Sequence, residues 1–197
     1  MRDEEMIRQI RQGRTELLDP LIDRYYQDIF RFCYYRTGQE QTAYDCAQET
    51  FLRMLRFLGS CEETRRFKSW LLSIALNVCR DYYRAASGKE VPLAEEKGEE
   101  YDADGCFTGQ YMPESGRGNG EKPYGQAEDR QVIRQCLMRL PEFQREAIVL
   151  YFYSGYKVRE IAGITGVALP TAKSRLRQGM EKLKKIFEEE GLHEADW

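Results

Sequence analysis

The segment 171–187 carries the side chains best suited to contact a nucleic acid. It holds six bases against one acid, Glu181, and its apolar residues recur every three or four positions. One face of a helix would therefore be apolar and the opposite face polar. We expect hydroxyl, amide and basic groups to face outward in the first turns; these are Thr171, Lys173, Ser174, Arg175, Arg177 and Gln178. Such a helix can lie in a DNA major groove and contact base edges and phosphates.

The residues before this helix predict a helix-turn-helix. A short helix is predicted over 157–164, Gly166 allows a tight turn, and Pro170 fits the first turn of the longer helix. A Lys-rich helix that only faces solvent is the alternative interpretation of the basic residues. The preceding short helix and turn favour DNA binding over that alternative.

A second segment, 67–84, mixes basic and aromatic residues in a helical pattern. Its outward positions include Lys68, Trp70, Asn77, Arg80 and Arg84. Such a surface can bind single-stranded nucleic acid, because the phosphates attract basic side chains and the unstacked nucleobases pack on aromatic rings. The alternative is that the aromatic residues, Trp70 among them, belong to the core.

A third helix, predicted over 44–58, has an acidic and amide face. Asp45 and Glu49 stand four residues apart, so two like charges lie together at a small cost to an isolated helix. The face is either an ordinary solvated surface or a patch that binds a basic partner.

Several other kinds of chemistry are excluded by what the sequence lacks. The one histidine, His193, argues against a histidine metal site or a catalytic triad. The six cysteines include no CxxC pair, so we expect reduced thiols that pack as small apolar side chains. The sequence shows no Gly-rich phosphate loop and no apolar run long enough for a membrane span, and its polar first residues lead us to expect no export signal. We expect a cytoplasmic protein that is not an enzyme and uses no cofactor and no metal ion.

Helices must position all three sets of residues, so the predicted fold class is all-α. We expect an N-terminal helical bundle over 1–86, with a partly frayed first helix, and a C-terminal four-helix domain over 127–187. The stretch 87–126 nets −5 and holds eight of the 16 glycines, which predicts a flexible acidic linker. The tail 188–197 nets another −5, so the two folded blocks share a charge of +7 within the total of −3. The sequence thus predicts two mildly basic units joined by an acidic tether.

Four stretches of the chain resemble the extracytoplasmic-function (ECF) sigma factors of bacterial RNA polymerase. They are DCAQETFLR (45–53), FKSWLLSIALNVCRDYYR (67–84), LPEFQREAIVLYFYSGY (140–156) and VREIAGITGVALPTAKSRL (158–176). The resemblance implies a promoter-specificity subunit that binds core RNA polymerase and promoter DNA, melted at the minus-10 element and double-stranded at the minus-35 element. It also implies an anti-sigma factor as a further partner, and no insertion into a membrane.

The resemblance assigns a role to each set of residues. The polymerase-binding set is Asp45, Gln48, Glu49, Phe51 and Leu52. The minus-10 set is Lys68, Trp70, Asn77, Arg80 and Arg84. The minus-35 set is Thr171, Lys173, Ser174, Arg175, Arg177 and Gln178, with Thr171 and Arg175 assigned to phosphates.

Two residues depart from the pattern of these sigma factors at the start of the basic helix. Ala168 stands where a capping Ser is usual, and Pro170 stands where Gly is common. The missing cap costs about 1 kcal/mol, so a frayed or shifted helix start is expected. The alternative function is a stand-alone helix-turn-helix regulator that acts without polymerase docking. A structural adaptor whose C-terminal helices bind protein is a further alternative.

Overall fold

The computed structural model describes residues 1–59, 66–87 and 127–191, and in these residues it contains helices and no strand. The helices are α1 (Asp3–Arg11), α2 (Leu18–Thr37), α3 (Glu40–Phe57), α4 (Phe67–Ser87), α5 (Ala127–Met138), α6 (Glu142–Ile148), α7 (Val158–Thr165) and α8 (Leu169–Glu189). A 3₁₀ turn, Thr15–Leu17, precedes α2, and a π-helical turn, Val149–Tyr153, continues α6. The all-α prediction is confirmed. The predicted linker beyond Ser87 lies outside the described residues.

Helices α2, α3 and α4 form the centre of the N-terminal half. Their apolar faces bury side chains such as Phe32, Met54 and Leu71. Complete burial of one such side chain stabilises the fold by about 1.5–3 kcal/mol relative to exposure. Gly38 ends α2 with a φ of 75°, the left-handed conformation that glycine adopts without strain, and the chain turns directly into α3.

The first helix is packed against this bundle, so the expectation of a frayed helix is wrong. Its Met6, Ile7 and Ile10 side chains are buried. The guanidinium of Arg11 also donates hydrogen bonds of 3.0 and 2.8 Å to the carbonyl of Leu58, just after α3. Three apolar residues in a nine-residue helix are a weak periodic signal, and their burial depends on the bundle that receives them.

In the C-terminal half, α6 and α8 approach each other closely at Gly179. A Cβ atom at this position would lie 3.1 Å from the Ile148 side chain and 3.2 Å from the Gln144 carbonyl oxygen. The predicted apolar stripe of α8 holds for Leu176, which is buried, but not for Met180, which is 41% exposed. The close approach of the two helices gives Gly179 the inward position and turns Met180 outward.

Helix α8 ends two residues beyond the expected domain end at 187. Arg139, just after α5, contacts Glu189 and forms an ion pair of 3.0 Å with Glu190. The first acids of the predicted tail therefore belong to the folded C-terminal half, and residues 192–197 lie outside the described residues.

The N-terminal and C-terminal halves pack against each other, which the picture of two tethered units does not include. The rings of Tyr35 and Tyr153 stack with centroids 4.0 Å apart. Met138 lies directly against Gly38, where a Cβ atom would be 2.5 Å from the methionine sulfur. Tyr156 is 1% exposed, and burial raises the pKa of its phenol. The molecule is thus closed, with α2 and α4 covered in part by the C-terminal half.

Candidate nucleic-acid interface

The outer face of α8 presents most of the predicted duplex-binding side chains to solvent. Lys173 and Gln178 are exposed, while Thr171 and Ser174 are half-buried. The Gln178 amide donates a hydrogen bond of 3.1 Å to the Ser174 hydroxyl and accepts one of 3.1 Å from Gln144 on α6. These bonds hold an amide and a hydroxyl, two groups that can pair with base edges, in one orientation.

The two arginines of this face differ in their orientation. Arg177 is exposed and forms an ion pair of 2.7 Å with Glu181, one turn along the same helix. Arg175 turns toward α6, where its guanidinium carbon lies 4.5 Å from the centre of the Phe143 ring. Arg177 is therefore the better placed of the two to contact a base.

The turn before α8 has the predicted geometry. Gly166 ends α7 with a φ of 71°, the left-handed conformation that allows the chain to reverse in few residues. Ala168 precedes α8 in an extended conformation and supplies no side-chain cap. The helix nonetheless begins at Leu169, with Pro170 in its first turn, where the fixed φ of proline favours helix initiation. The expected shift or fraying of the helix start is not observed.

On α4, the basic residues predicted to contact melted DNA are held by carboxylates of the protein itself. Arg80 forms an ion pair of 2.8 Å with Glu146 of α6, and Glu146 is 1% exposed. Arg84 is exposed and pairs with Asp81 at 3.1 Å. Asn77 is half-buried. Arg80 is thus engaged with the C-terminal half, whereas Arg84 remains at the surface.

Two members of the predicted minus-10 set do not lie on the exposed part of this surface. Lys68 is nine residues from Asn77, which places it on the opposite side of α4, and it pairs with Asp28 at 2.7 Å. Trp70 is 4% exposed and packs on Phe67, with ring centroids 5.5 Å apart. The core interpretation of Trp70 is therefore correct, and its assignment as a stacking surface is wrong, because a buried ring offers no face to a base.

The outer face of α3 combines acidic, amide and apolar groups. Asp45 and Gln48 are exposed, and Leu52 is 50% exposed. Glu49 is half-buried at the edge of this face, where it pairs with Arg53 at 2.8 Å. The face thus places an exposed apolar side chain beside acidic and amide groups.

One member of the predicted polymerase-binding set is in the core, and two exposed residues were not predicted. Phe51 is 6% exposed and stacks on Tyr26, so it supports α3 from beneath. Leu55 and Tyr44 are 41% and 38% exposed on the outer side of α3. The three-residue step from Leu52 to Leu55 was the signal that could have found the first of them.

Sequence reasoning also missed a buried polar cluster between the two halves. We call it the interdomain cluster; its members are Arg36, Arg80, Tyr83, Glu142, Arg145 and Glu146. Arg36 is completely buried and pairs with Glu142 at 2.5 Å and with Glu146 at 3.5 Å. Burial disfavours its charge, but these carboxylates outweigh burial and raise the pKa of Arg36.

Arg145 and Tyr83 extend the interdomain cluster through hydrogen bonds to each other and to the backbone carbonyl of Arg36. Arg145 donates hydrogen bonds of 3.0 Å to the Arg36 carbonyl and 3.1 Å to the Tyr83 hydroxyl, and burial lowers the pKa of Arg145. The Tyr83 hydroxyl in turn donates to the Arg36 carbonyl at 2.7 Å. Residues of α2, α4 and α6 therefore meet in one polar network.

Four cysteines of the described residues are buried free thiols, and the other two lie outside those residues. Cys46 and Cys33 both contact Cys79 in the N-terminal core. The contact with Cys79 and burial raise the pKa of Cys46, and the contact with Cys33 and burial raise the pKa of Cys79. Thiols in such surroundings are unreactive. Within the described ranges we find no group of side chains arranged to hold a metal ion. No helix in the same ranges is long and apolar enough to cross a membrane.

Comparison with known families and proteins identifies the class. Residues 21–88 match sigma-70 region 2, and residues 130–183 match sigma-70 region 4. The first match covers α3, α4 and all but the first three residues of α2, and the second covers α7 and the part of α8 up to Leu183. The two regions define a sigma factor of the sigma-70 class.

Individual relatives narrow the class further. The chain is 29% identical to the ECF RNA polymerase sigma factor SigW of Bacillus subtilis, over 91% of this chain and 93% of SigW. It is 25% identical to the sigma factor RpoE of Bartonella quintana, solved in complex with the anti-sigma factor NepR, with a TM-score of 0.63 and coverage of 86% of this chain and 96% of that one. CnrH, solved with the cytosolic domain of CnrY, shares the fold at a TM-score of 0.65 and 20% identity, over 94% and 97% of the two chains. The chain therefore belongs to the ECF-type sigma factors, which direct promoter-specific transcription.

Proposed function

We propose that three surfaces divide the work of promoter recognition in this chain. The outer face of α3 binds core RNA polymerase, α4 contacts the melted minus-10 element, and α8 reads the minus-35 duplex. The observation that carries the proposal is the outer face of α8, the second helix of the helix-turn-helix. On this face Lys173 and Arg177 are exposed beside Ser174 and Gln178, which are joined by a hydrogen bond. We assign residues 1–86 and 127–187 to these two DNA-binding roles, and 87–126 to a tether between them.

Chemistry separates the residues of α8 into two groups. Arg177 and Gln178 can each make two hydrogen bonds to one base edge, which is how arginine selects guanine and glutamine selects adenine. Lys173 and Thr171 suit phosphates, which fix the position of the helix without reading sequence. Arg175 is stacked on Phe143, and its proposed partner is also a phosphate.

The proposed polymerase contact rests on the composition of the α3 face. Leu52 and Leu55 supply exposed apolar area, and Asp45 supplies charge beside them. An apolar centre with a charged rim is the usual anatomy of a protein interface. An acidic rim selects a partner surface with basic residues.

The remaining assignments follow from membership of the family. We propose that an anti-sigma factor regulates this chain, because the similar sigma factor RpoE was solved in complex with the anti-sigma factor NepR. We further propose that the chain acts in the cytoplasm, where polymerase and promoter DNA are found. We also propose that it is a binding protein, since the three surfaces offer donors, acceptors and apolar area rather than a catalytic group.

The test is run-off transcription with purified core RNA polymerase on a library of genomic fragments. We expect new transcripts whose start sites share two upstream sequence elements. The Arg177→Ala variant, tested in parallel, should lose transcripts that depend on the upstream element. Identical transcripts with and without the chain would contradict the proposed function.

A mobility-shift assay separates this function from a stand-alone regulator. The sigma factor should shift promoter DNA efficiently only when core polymerase is present. A stand-alone regulator would shift the same DNA as a dimer without polymerase, and nothing in the family comparisons supports that alternative.

A further inference from the structure

The side chain of Gln144, on α6, lies beside the proposed DNA-reading face of α8. Its amide nitrogen donates a hydrogen bond of 3.1 Å to the Gln178 oxygen, and the Gln178 nitrogen donates one of 3.1 Å to the Ser174 hydroxyl. We propose that Gln144 is a positioning residue for promoter recognition, which does not read DNA itself but fixes the orientation in which Gln178 contacts a base. The proposal rests on the role assigned to α8 above.

The packing of α6 against α8 places Gln144 where it can support Gln178. At Gly179, the next residue along α8, a Cβ atom would lie 3.2 Å from the Gln144 carbonyl oxygen and 3.4 Å from the Gln144 Cβ atom. The Gln144 side chain is half-buried at this contact, whereas the Gln178 side chain is exposed. The stacking of Arg175 on Phe143 joins the same two helices one turn earlier. The support for Gln178 is therefore built into the packing of the C-terminal half.

The hydrogen bonds run in one direction through the three polar side chains. The amide oxygen of Gln144 is buried and accepts no hydrogen bond from the described residues, so its amide nitrogen is the end that faces Gln178. This donor holds the Gln178 oxygen toward α6 and leaves the Gln178 nitrogen toward Ser174. A glutamine amide has two N–H donors and an oxygen with two lone pairs. Gln178 therefore keeps one donor and one acceptor for a base after both internal bonds are made.

A fixed amide distinguishes base pairs better than an amide that turns freely. Glutamine selects adenine by accepting from N6 and donating to N7 of the base. Turning the amide through 180° exchanges the donor and the acceptor, so the orientation of Gln178 decides which base edge it matches. Immobilising one free side chain at an interface costs about two- to tenfold in affinity. Gln144 removes most of that cost before DNA binds.

Two substitutions at Gln144 separate positioning from packing. Gln144→Met keeps the length of the side chain and removes its hydrogen bonds. Gln144→Glu keeps the shape, but an ionised carboxylate only accepts, so Gln178 must turn its amide and donate to it. The matched control is Gln135→Met, which makes the same change at an exposed glutamine of α5. Gln178→Ala is the reference variant that identifies the base pair read through this position.

The measurement is competition binding by the full-length proteins assembled with core RNA polymerase. The competitors are promoter duplexes recovered from run-off transcription and altered one base pair at a time through the upstream element. Discrimination at each position is the ratio of the affinities for the original and the altered duplex. The negative charge added by Gln144→Glu weakens binding to every duplex through the phosphates, and this uniform effect cancels in the ratio.

We expect Gln178→Ala to lose discrimination at one base pair. Gln144→Met should lose about fivefold in discrimination at the same base pair, because it restores the freedom of the Gln178 side chain. Gln144→Glu should change which base pair is preferred at that position. In the Gln178→Ala background, Gln144→Met should have no further effect, since a positioning residue acts only through its target. Gln135→Met should match wild type at every position.

Three results would overturn the proposal. A uniform loss of affinity for all duplexes in Gln144→Met would mean that Gln144 only supports packing. A loss at a base pair other than the one affected by Gln178→Ala would mean that Gln144 contacts DNA itself. The wild-type preference in Gln144→Glu would mean that Gln144 does not orient the amide. Failure of the proposed function is a separate result, because it appears as an absence of promoter-dependent transcripts before any variant is compared.

Discussion

Two helices of this chain carry arginines that we assign to nucleic acid, and they differ in what holds those arginines. On α8, Arg177 is exposed and its ion pair with Glu181 is local and solvent-facing. On α4, Arg80 is paired with a buried glutamate of the other half. An exposed pair of charges is worth little and is exchanged readily for a ligand, whereas a buried pair is released only when its surroundings move. The two faces are thus ready to bind DNA to different degrees.

The largest expected effect is a loss of stability at Gly179, where α8 packs closely against α6. Gly179→Leu would place a side chain where even a Cβ atom lies 3.1 Å from Ile148, so α6 and α8 must move apart. We expect a loss of about 3 kcal/mol in the free energy of unfolding, at the upper end for overpacking. Urea denaturation measures it.

The control for that substitution is Gly59→Leu, at an exposed glycine where a Cβ atom meets no neighbour within 4 Å. It should change the free energy of unfolding much less. Equal losses in the two variants would contradict the close approach of α6 and α8.

A charge reversal on α3 tests the surface that is open in the closed chain. Glu49→Lys places a positive charge in the acidic rim of α3, which we propose contacts a basic surface of the polymerase. Like charges that face each other across an interface cost several kcal/mol. We expect binding to core polymerase to weaken about thirtyfold, or about 2 kcal/mol. Surface plasmon resonance with immobilised core enzyme measures the change.

Asp23→Lys makes the same charge change on an exposed residue of α2 and should leave binding near that of wild type. Wild-type binding by Glu49→Lys would remove α3 from the polymerase contact.

A third prediction concerns the exposed arginine of α8. Arg177→Ala should weaken binding to a promoter duplex about tenfold, because a guanidinium on a guanine edge contributes about 1–3 kcal/mol. Competition with a duplex altered at one base at a time should show that the variant has lost discrimination at one position. A uniform loss across all duplexes would reassign Arg177 to a phosphate.

The smallest expected effect is at the partner of that arginine. Glu181→Gln should raise duplex affinity about twofold, since an exposed helical pair of this kind holds its arginine by only about 0.3–0.5 kcal/mol. Anisotropy titrations of wild type and variant at one salt concentration detect such a change. Tenfold tighter binding would mean that α8 is also held back, and the contrast with α4 would disappear.

The sequence was sufficient to predict most helices and the helix-turn-helix, because these depend on neighbouring residues. Apolar spacing, the glycine turn at Gly166 and the proline at Pro170 are local signals, and α7 and α8 begin and end close to the predicted positions. The exposed part of the α8 face follows directly from the same periodicity. The resemblance to ECF sigma factors then suggested a role for each surface, and these roles stay predictions.

The interdomain cluster could not be predicted in the same way. Its hydrogen bonds join residues 47 to 109 positions apart, and no local pattern reports such pairs. Arg36 and Glu146 also belong to residue types that are usually found at the surface, since charged side chains are seldom fully buried unless they are paired. Trp70 shows the converse, because a helical pattern does not say whether an aromatic ring faces a core or a ligand.

The most direct test is the ratio of single-strand to duplex affinity in one protein, measured for wild type and Arg177→Ala. The duplex is a promoter recovered from the transcription library, and it reports on α8. A single-stranded oligonucleotide of mixed sequence reports on α4 as an internal reference. We predict that the variant binds the duplex about tenfold more weakly, because it lacks the guanidinium that contacts a guanine edge. Its affinity for single-stranded DNA should remain within about twofold of wild type, because Arg177 lies on α8 and not on α4. Equal losses for both ligands, or none for either, would contradict the account.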